Sequence, residues 1–262
     1  MEAGRNLFGL SVQAKERLLE KLSAVARARP AAVDARALEG GADIDGSPRL
    51  DVTRLEGYRD IRAIAEAADY LGIANPFFRV HQGIATAETV IDGRSYVNFA
   101  SYNYIGLNDD RRVSEAAKAA IDRYGTSVSA SRPVSGERPI HRALECALAR
   151  VHGAEDSVAL VGGHSTNVTV IGHLLGRSDV IVHDAFIHNS IVQGAMLSGA
   201  RRVPFRHLDP AAADKVLAET RSRHGRALLV IEGHYSMDGD VPDLAAFAAV
   251  ARRHRAWLMV DE

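Results

Sequence analysis

The chain contains one cysteine among its 262 residues, which rules out an internal disulfide. Cys146 falls within a helical pattern (His141 to Val151), where a small, soft side chain usually serves packing. Long hydrophobic runs are also missing, and no segment approaches the ~20 apolar residues that a helix needs to cross a bilayer. The opening Met1-Glu2-Ala3-Gly4-Arg5 begins no apolar export signal. A cytoplasmic, reducing setting is therefore expected. Neither charge sign dominates: 32 Lys and Arg oppose 33 Asp and Glu, for a net charge of −1. That balance gives no electrostatic reason to expect nucleic acid or an anionic membrane as a partner. Lysine is scarce and limited to Lys15, Lys21, Lys118 and Lys215. There is no G-x-G-x-x-G string, so a dinucleotide site has no fingerprint.

What is present is an ordinary globular composition, 47% hydrophobic and 25% charged, sufficient for one large domain or two small ones. Residues 11–29 read as a charged helix with Leu18, Leu19, Leu22 and Val25 on one face. Residues 30–53, rich in Ala, Gly and Asp, read as a linker. A second helix is predicted from Leu55 to Leu71, ending before Gly72. Thr89-Val90-Ile91 and Tyr96-Val97-Asn98-Phe99, joined through Asp92-Gly93, predict a small hairpin.

From Arg111 helices are predicted over 111–123 and 139–151, flanking a Ser/Gly-rich loop at 125–137. Apolar strands then alternate with helices. The strands are expected at Ser157–Val161, Val180–Val182, Arg202–Phe205, Ala227–Ile231 and 256–260. The helices are expected from about Ser165, Asn189 and Pro210, and over 243–254. Strands apolar throughout, separated by helices, imply an α/β fold with a mainly parallel sheet covered on both faces. The chain thus divides into an extension (1–74), an arm with a hairpin (75–110) and a large domain (111–262).

Polar groups gather where the strands end, which is where open α/β sheets place ligands. Gly162-Gly163-His164-Ser165-Thr166-Asn167 follows a strand and opens a helix. It reads either as a backbone cradle for an anion or as a tight turn capped by Ser165 or Thr166. His183-Asp184 and His188 follow the next strand; a metal cluster there lacks a clear third ligand. His188 is instead a flat ring to lay over a planar ligand, or a histidine making a polar contact near a helix start. Glu232 to Asp240 form a polar loop whose Asp238-Gly239 also suits a simple turn. Asp261 ends the last strand and could hold a heteroaromatic nitrogen protonated, or could face solvent. Convergence of these loops on one rim strengthens the functional reading of each.

Asn98-Phe99-Ala100-Ser101-Tyr102-Asn103-Tyr104-Ile105-Gly106-Leu107 is similar to the N-x-x-S-x-N/D-Y-L-G-L opening of the α-oxoamine synthases, fold-type I enzymes that depend on pyridoxal 5'-phosphate (PLP). Ser129 to Gly136, followed by His141-x-x-Leu144-Glu145, continues the likeness. Glu232-Gly233-x-x-Ser236-Met237-Asp238-Gly239-Asp240 and Val260-Asp261-Glu262 complete it. The similarity runs over about residues 75–262.

The resemblance implies a three-layer large domain and a set of roles. Gly163 and His164 would offer backbone N–H groups to the PLP phosphate, and His188 would stack on its ring. Ser236 would bond the phenolic oxygen, and Asp261 would pair with the pyridinium nitrogen. Asn103, or Tyr102 beside it, would touch the amino-acid substrate. The family reaction joins an amino acid to an acyl thioester, giving an α-oxoamine, CO2 and a thiol. The donor would be a coenzyme A or acyl-carrier-protein thioester, and the intact enzyme a homodimer. Two departures stand out. His164 replaces the Phe, Cys or Tyr of many members, and Gly162 replaces their Ser or Thr. Moreover, the family's Schiff-base lysine and C-terminal domain lie beyond this Asp261. The chain as written is then expected to be an inactive portion of such a synthase. A non-catalytic partner subunit is the alternative.

Overall fold

The computed structural model describes Thr53, residues 55–75 and residues 77–262. The helix expected over 11–29, and the linker over 30–53 apart from Thr53, lie outside the described residues. The chain divides into two units, 1–126 and 127–262.

In the first unit, helix α1 (Glu56–Tyr70) stops at Leu71 and Gly72. The hairpin pairs β1 (Glu88–Ile91) with β2 (Arg94–Val97), with Ile91 opposite Arg94. Its two-residue turn, Asp92-Gly93, has φ of 51° and 73°, the left-handed backbone that such a tight turn demands. Helix α2 (Arg111–Tyr124) begins at Asp110, whose carboxylate accepts the Arg112 N–H at 2.8 Å.

The second unit is a three-layer α/β/α sandwich. Its elements are α3 (Pro139–His152), α4 (Gly163–Leu174), β3 (Val180–Asp184), α5 (Asn189–Ser198), β4 (Arg201–Phe205), α6 (Pro210–Thr220), β5 (Ala227–Glu232), α7 (Leu244–Arg253) and β6 (Trp257–Asp261). The sheet is parallel in the order β4-β3-β5-β6. Alternate residues of the same strands feed two cores. Val180, Val182, Leu229 and Ile231 meet Leu217 of α6 and Phe247 of α7 on one face. Ile181, Leu228 and Val230 meet Ile171 of α4 and Ile191 of α5 on the other. This is why these strands are apolar throughout: both faces are buried.

One expected strand is absent. Ser157–Val161 is extended but pairs with no strand. The backbone groups that Ala159 would offer to a ladder are taken by side chains. Its N–H donates to Glu145 Oε1 at 3.0 Å, and its carbonyl accepts from Arg132 at 3.1 Å. Arg132 and Glu145 also form an ion pair at 2.6 Å, and this bond holds the Glu145 carboxyl below its ordinary range. The Ser129–Gly136 motif is thus structural in this unit. Gly136 is obligatory, because a Cβ there would lie 2.1 Å from Ala130 O.

Candidate functional site

In a parallel sheet all carboxyl ends share one rim. Asp184 ends β3, and Glu232 and Asp261 end β5 and β6 as register partners. Helix α4 points its first turn at the same place. It begins at Gly163, two residues before the expected start, with Gly162 as an N-cap that lacks any side-chain cap. Ser165 and Thr166 therefore sit inside the first turn rather than capping it. Thr166 turns its hydroxyl back to donate to Gly162 O at 2.9 Å. The orphan N–H groups of a helix start, left without a side-chain oxygen, favour an anion.

One turn into α4, buried Asn167 reaches the end of β6. Its Nδ2 donates to Asp261 Oδ2 at 2.9 Å and to Ser190 Oγ at 3.0 Å. Ser190, fully buried, passes the chain on: its Oγ lies 2.7 Å from His188 Nδ1, and its backbone N–H donates to the same nitrogen at 3.2 Å. Because Ser190 Oγ accepts from Asn167, its own proton turns to His188. Two donors on Nδ1 leave the ring proton of His188 on Nε2. His188 is also the N-cap of α5, so its polar-contact reading is realised as well. Its exposed ring meets that of His164 edge-on, with centroids 6.3 Å apart.

Close contact between α4 and α5 makes this possible. A Cβ on Gly194 would stand 2.9 Å from both Asn167 O and Ile171 Cβ, so only glycine lets the helices approach this closely. Glu232 lies beside Asp261 and accepts the His188 backbone N–H; burial pushes its carboxyl up, and the neighbouring Asp261 adds to the effect.

The loop after β5 starts at Asp261 too, since Gly233 N–H donates to Asp261 O at 2.7 Å. Tyr235 is buried beneath the loop, which closes through Tyr235 N–H to Asp240 O at 2.9 Å and Gly239 N–H to Tyr235 O at 2.8 Å. Ser236 stands exposed on this turn, and Gly239 takes the left-handed backbone (φ 80°) foreseen for Asp238-Gly239.

Of the sequence-derived residues, His188 and Asp261 are linked through one short polar network; His164 meets the His188 ring edge-on, Gly163 precedes His164 in the first turn of α4, and Ser236 stands on the loop after β5. Asn103 belongs to the first unit. There its amide donates to Ala85 O at 3.1 Å and accepts the Asn108 N–H at 3.2 Å, lining a cleft of about 400 Å³. Asn167 and Ser190 were not singled out from sequence. The available signal was a polar residue four positions before Ile171, on the buried stripe of a helix.

Residues 94–262 match the family described as Aminotransferase class I and II. The chain belongs to this family. Its relatives put it in the α-oxoamine synthase branch of these PLP enzymes. It is 37% identical over 217 residues to the 8-amino-7-oxononanoate synthase of Trichlorobacter lovleyi, covering 82% of this chain and 51% of that one. The Geobacter sulfurreducens protein of that name is 43% identical over 184 residues, covering 70% and 47%. Among solved structures, Sphingomonas wittichii serine palmitoyltransferase superposes with a TM-score of 0.74 at 33% identity, over 80% of this chain and 52% of that one. A variant of the S. paucimobilis serine palmitoyltransferase with a bound PLP–myriocin aldimine gives 0.74 at 30% identity, over 80% and 54%. The chain spans about half the length of the curated relatives it matches. No helix among the described residues is long and apolar enough to cross a membrane.

Proposed function

We propose that this chain forms the PLP-holding part of an α-oxoamine synthase. The overall reaction would form a bond between an amino-acid Cα and an acyl carbonyl, releasing CO2 and the free thiol of a coenzyme A or carrier-protein thioester. The observation that carries this reading is Asp261, a strand-end carboxylate fixed by buried Asn167 and linked through it to His188.

The residues fit the cofactor in kind. An uncapped helix start at Gly163 and His164 suits a phosphate. The exposed ring of His188, oriented by Ser190, suits a planar aromatic face. Asp261, with one oxygen held, suits a protonated ring nitrogen, and the Ser236 hydroxyl a phenolic oxygen. When bound, PLP supplies an electron sink for charge developing on the substrate Cα. Asp261 keeps the proton on the ring nitrogen by charge pairing, and Asn167 prevents the carboxylate from rotating away. Asn103 is assigned to the amino-acid substrate, and a homodimer is the expected assembly of the intact enzyme. Of the two lysines among the described residues, Lys118 is paired with Glu115 at 3.0 Å and Lys215 is exposed on α6, and cofactor binding by this chain is taken to be non-covalent.

The only tryptophan, Trp257, starts the strand that ends in Asp261, so its fluorescence reports on the site. Titrating PLP into the full chain should quench it saturably, pyridoxal without phosphate should bind more weakly, and Asp261→Ala should abolish saturation. Borohydride treatment followed by peptide mapping should leave all four lysines unmodified. Absence of saturable PLP binding, or stoichiometric labelling of one lysine, would overturn the proposal.

A further inference from the structure

We propose that His207 is a positioning residue for Ser236: with a carboxylate on each ring nitrogen, it ties the 233–240 loop to the ends of β3 and β4. The functional half of this inference rests on the reading of Ser236 as a cofactor contact; the tie itself does not.

His207 lies two residues beyond β4. Its Nδ1 is 2.7 Å from Asp184 Oδ1 and its Nε2 is 3.3 Å from Asp240 Oδ2. A neutral imidazole has one donor and one acceptor, and an ionised carboxylate can only accept. Both contacts are satisfied together only by the imidazolium. Asp184 cannot move to accommodate the ring, because its side chain is fully buried and already accepts N–H bonds from Phe186 and Leu208, each at 2.8 Å. Leu208 takes a left-handed φ of 53° where it makes that bond, a strained backbone that the surroundings hold in place.

The ring is fixed in the other directions too. It stacks on Phe186 with centroids 4.4 Å apart, and Tyr235 meets it edge-on at 4.6 Å. Tyr235 and Asp240 are the two residues whose backbones close the loop. His207 therefore grips both ends of the turn that carries Ser236. The outer part of that turn is open to solvent, with Met237 92% exposed.

The charged groups around the ring agree. Asp184 faces it from β3, and Asp240 and the Tyr235 phenol from the loop. Glu232 lies behind that phenol, and on its own turn Arg206 is engaged with Asp209. Burial opposes protonation of His207, but the bonds to Asp184 and Asp240 outweigh it and the ring's pKa is raised. The tie is then intact below the raised pKa of His207 and is released as pH climbs through it.

Hydrogen exchange of the full-length chain tests this without any cofactor. His207→Phe keeps a flat ring and removes both bonds; Asp240→Asn removes the charge of one carboxylate and carries the test if the first variant does not fold. Exchange at the Tyr235 and Gly239 amides should rise at least tenfold while β3 and β5 amides stay protected. Loop amides that exchange as in the unmodified chain would overturn the tie. PLP titration, followed by Trp257 quenching, should then show weaker binding in Asp240→Asn. A loosened loop with unchanged PLP affinity would overturn the positioning role. Failure of the unmodified chain to bind PLP would instead refute the proposed function, and the exchange result would still decide the tie.

Discussion

Asn167 and Asp261 are 94 residues apart in sequence and 2.9 Å apart in space, and the bond between them joins helix α4 to strand β6. Outer partners that orient metal-ligating side chains commonly change affinity 10–100-fold when removed, and Asn167 orients Asp261 in the same way. Asn167→Ala should weaken PLP binding by about tenfold on that basis. It should also cost about 1–3 kcal/mol of stability, the usual penalty when buried partners lose a donor. Fluorescence titration and urea denaturation would measure the two effects, and unchanged affinity would remove Asn167 from the site.

The contact between α4 and α5 predicts contrasting effects for two glycines. A Cβ at Gly194 meets backbone of α4, which cannot give way, whereas one at Gly172 meets the end of the Leu197 side chain at 2.6 Å. Gly194→Ala should destabilise by about 1–3 kcal/mol through overpacking. Gly172→Ala should cost less, because Leu197 can change rotamer and alanine adds roughly 1 kcal/mol of helix propensity. Urea midpoints that rank the two variants in the opposite order would contradict the packing.

Glu232 gives a pH signature. Burial, reinforced by Asp261, raises its pKa in the folded chain. Between about 4.3, the ordinary glutamate value, and that raised value, the folded state holds more protons than the unfolded one. Stability from this group is therefore lost as pH rises through that window. Glu232→Gln keeps an acceptor for the His188 N–H and should raise the melting temperature at pH 8 but not at pH 4. An equal shift at both pH values would refute the assignment.

His207 shares that direction for a different reason, since its protonated form is the one held by two carboxylates. A histidine with a raised folded pKa gives stability that is fully present below about 6.5 and lost as pH rises through the folded pKa. Thermal melts of the unmodified chain and Asp240→Asn should converge at high pH and separate below about pH 6.5.

Glu145 holds the 157–161 segment by hydrogen bonds rather than by a ladder. Glu145→Ala should speed amide exchange at Ala159 and leave β3 protected. The same release should occur in acid, as pH falls through the lowered pKa of Glu145. Protection at Ala159 that survives both treatments would show that another partner holds it.

Most of the sandwich was legible because its chemistry is local. Val180–Val182 and Ala227–Ile231 are apolar on both faces, and a chain of that pattern between helices has few alternatives to a buried parallel strand. Asp261 and His188 were visible as polar groups at strand and helix ends. What could not be read depends on distant residues. The apolar residues of 157–161 look like a strand, yet the side chains of Arg132 and Glu145 occupy Ala159. Asn167 and Ser190 look like ordinary polar helix residues until α4 and α5 pack together. The second carboxylate on His207, Asp240, comes from a loop 33 residues further along.

The order β4-β3-β5-β6 has a consequence for synthesis. Among the described strands, β3, β4 and β5 precede the strand bearing Asp261 in the chain, so they can pair before it is made. Until it docks, Asn167 has no carboxylate to hold and Gly233 has no carbonyl to bond. A nascent chain on the ribosome would thus hold a folded three-strand core without a finished ligand site. Cofactor uptake would then require β6 to be docked beside β5, with Asp261 held by Asn167.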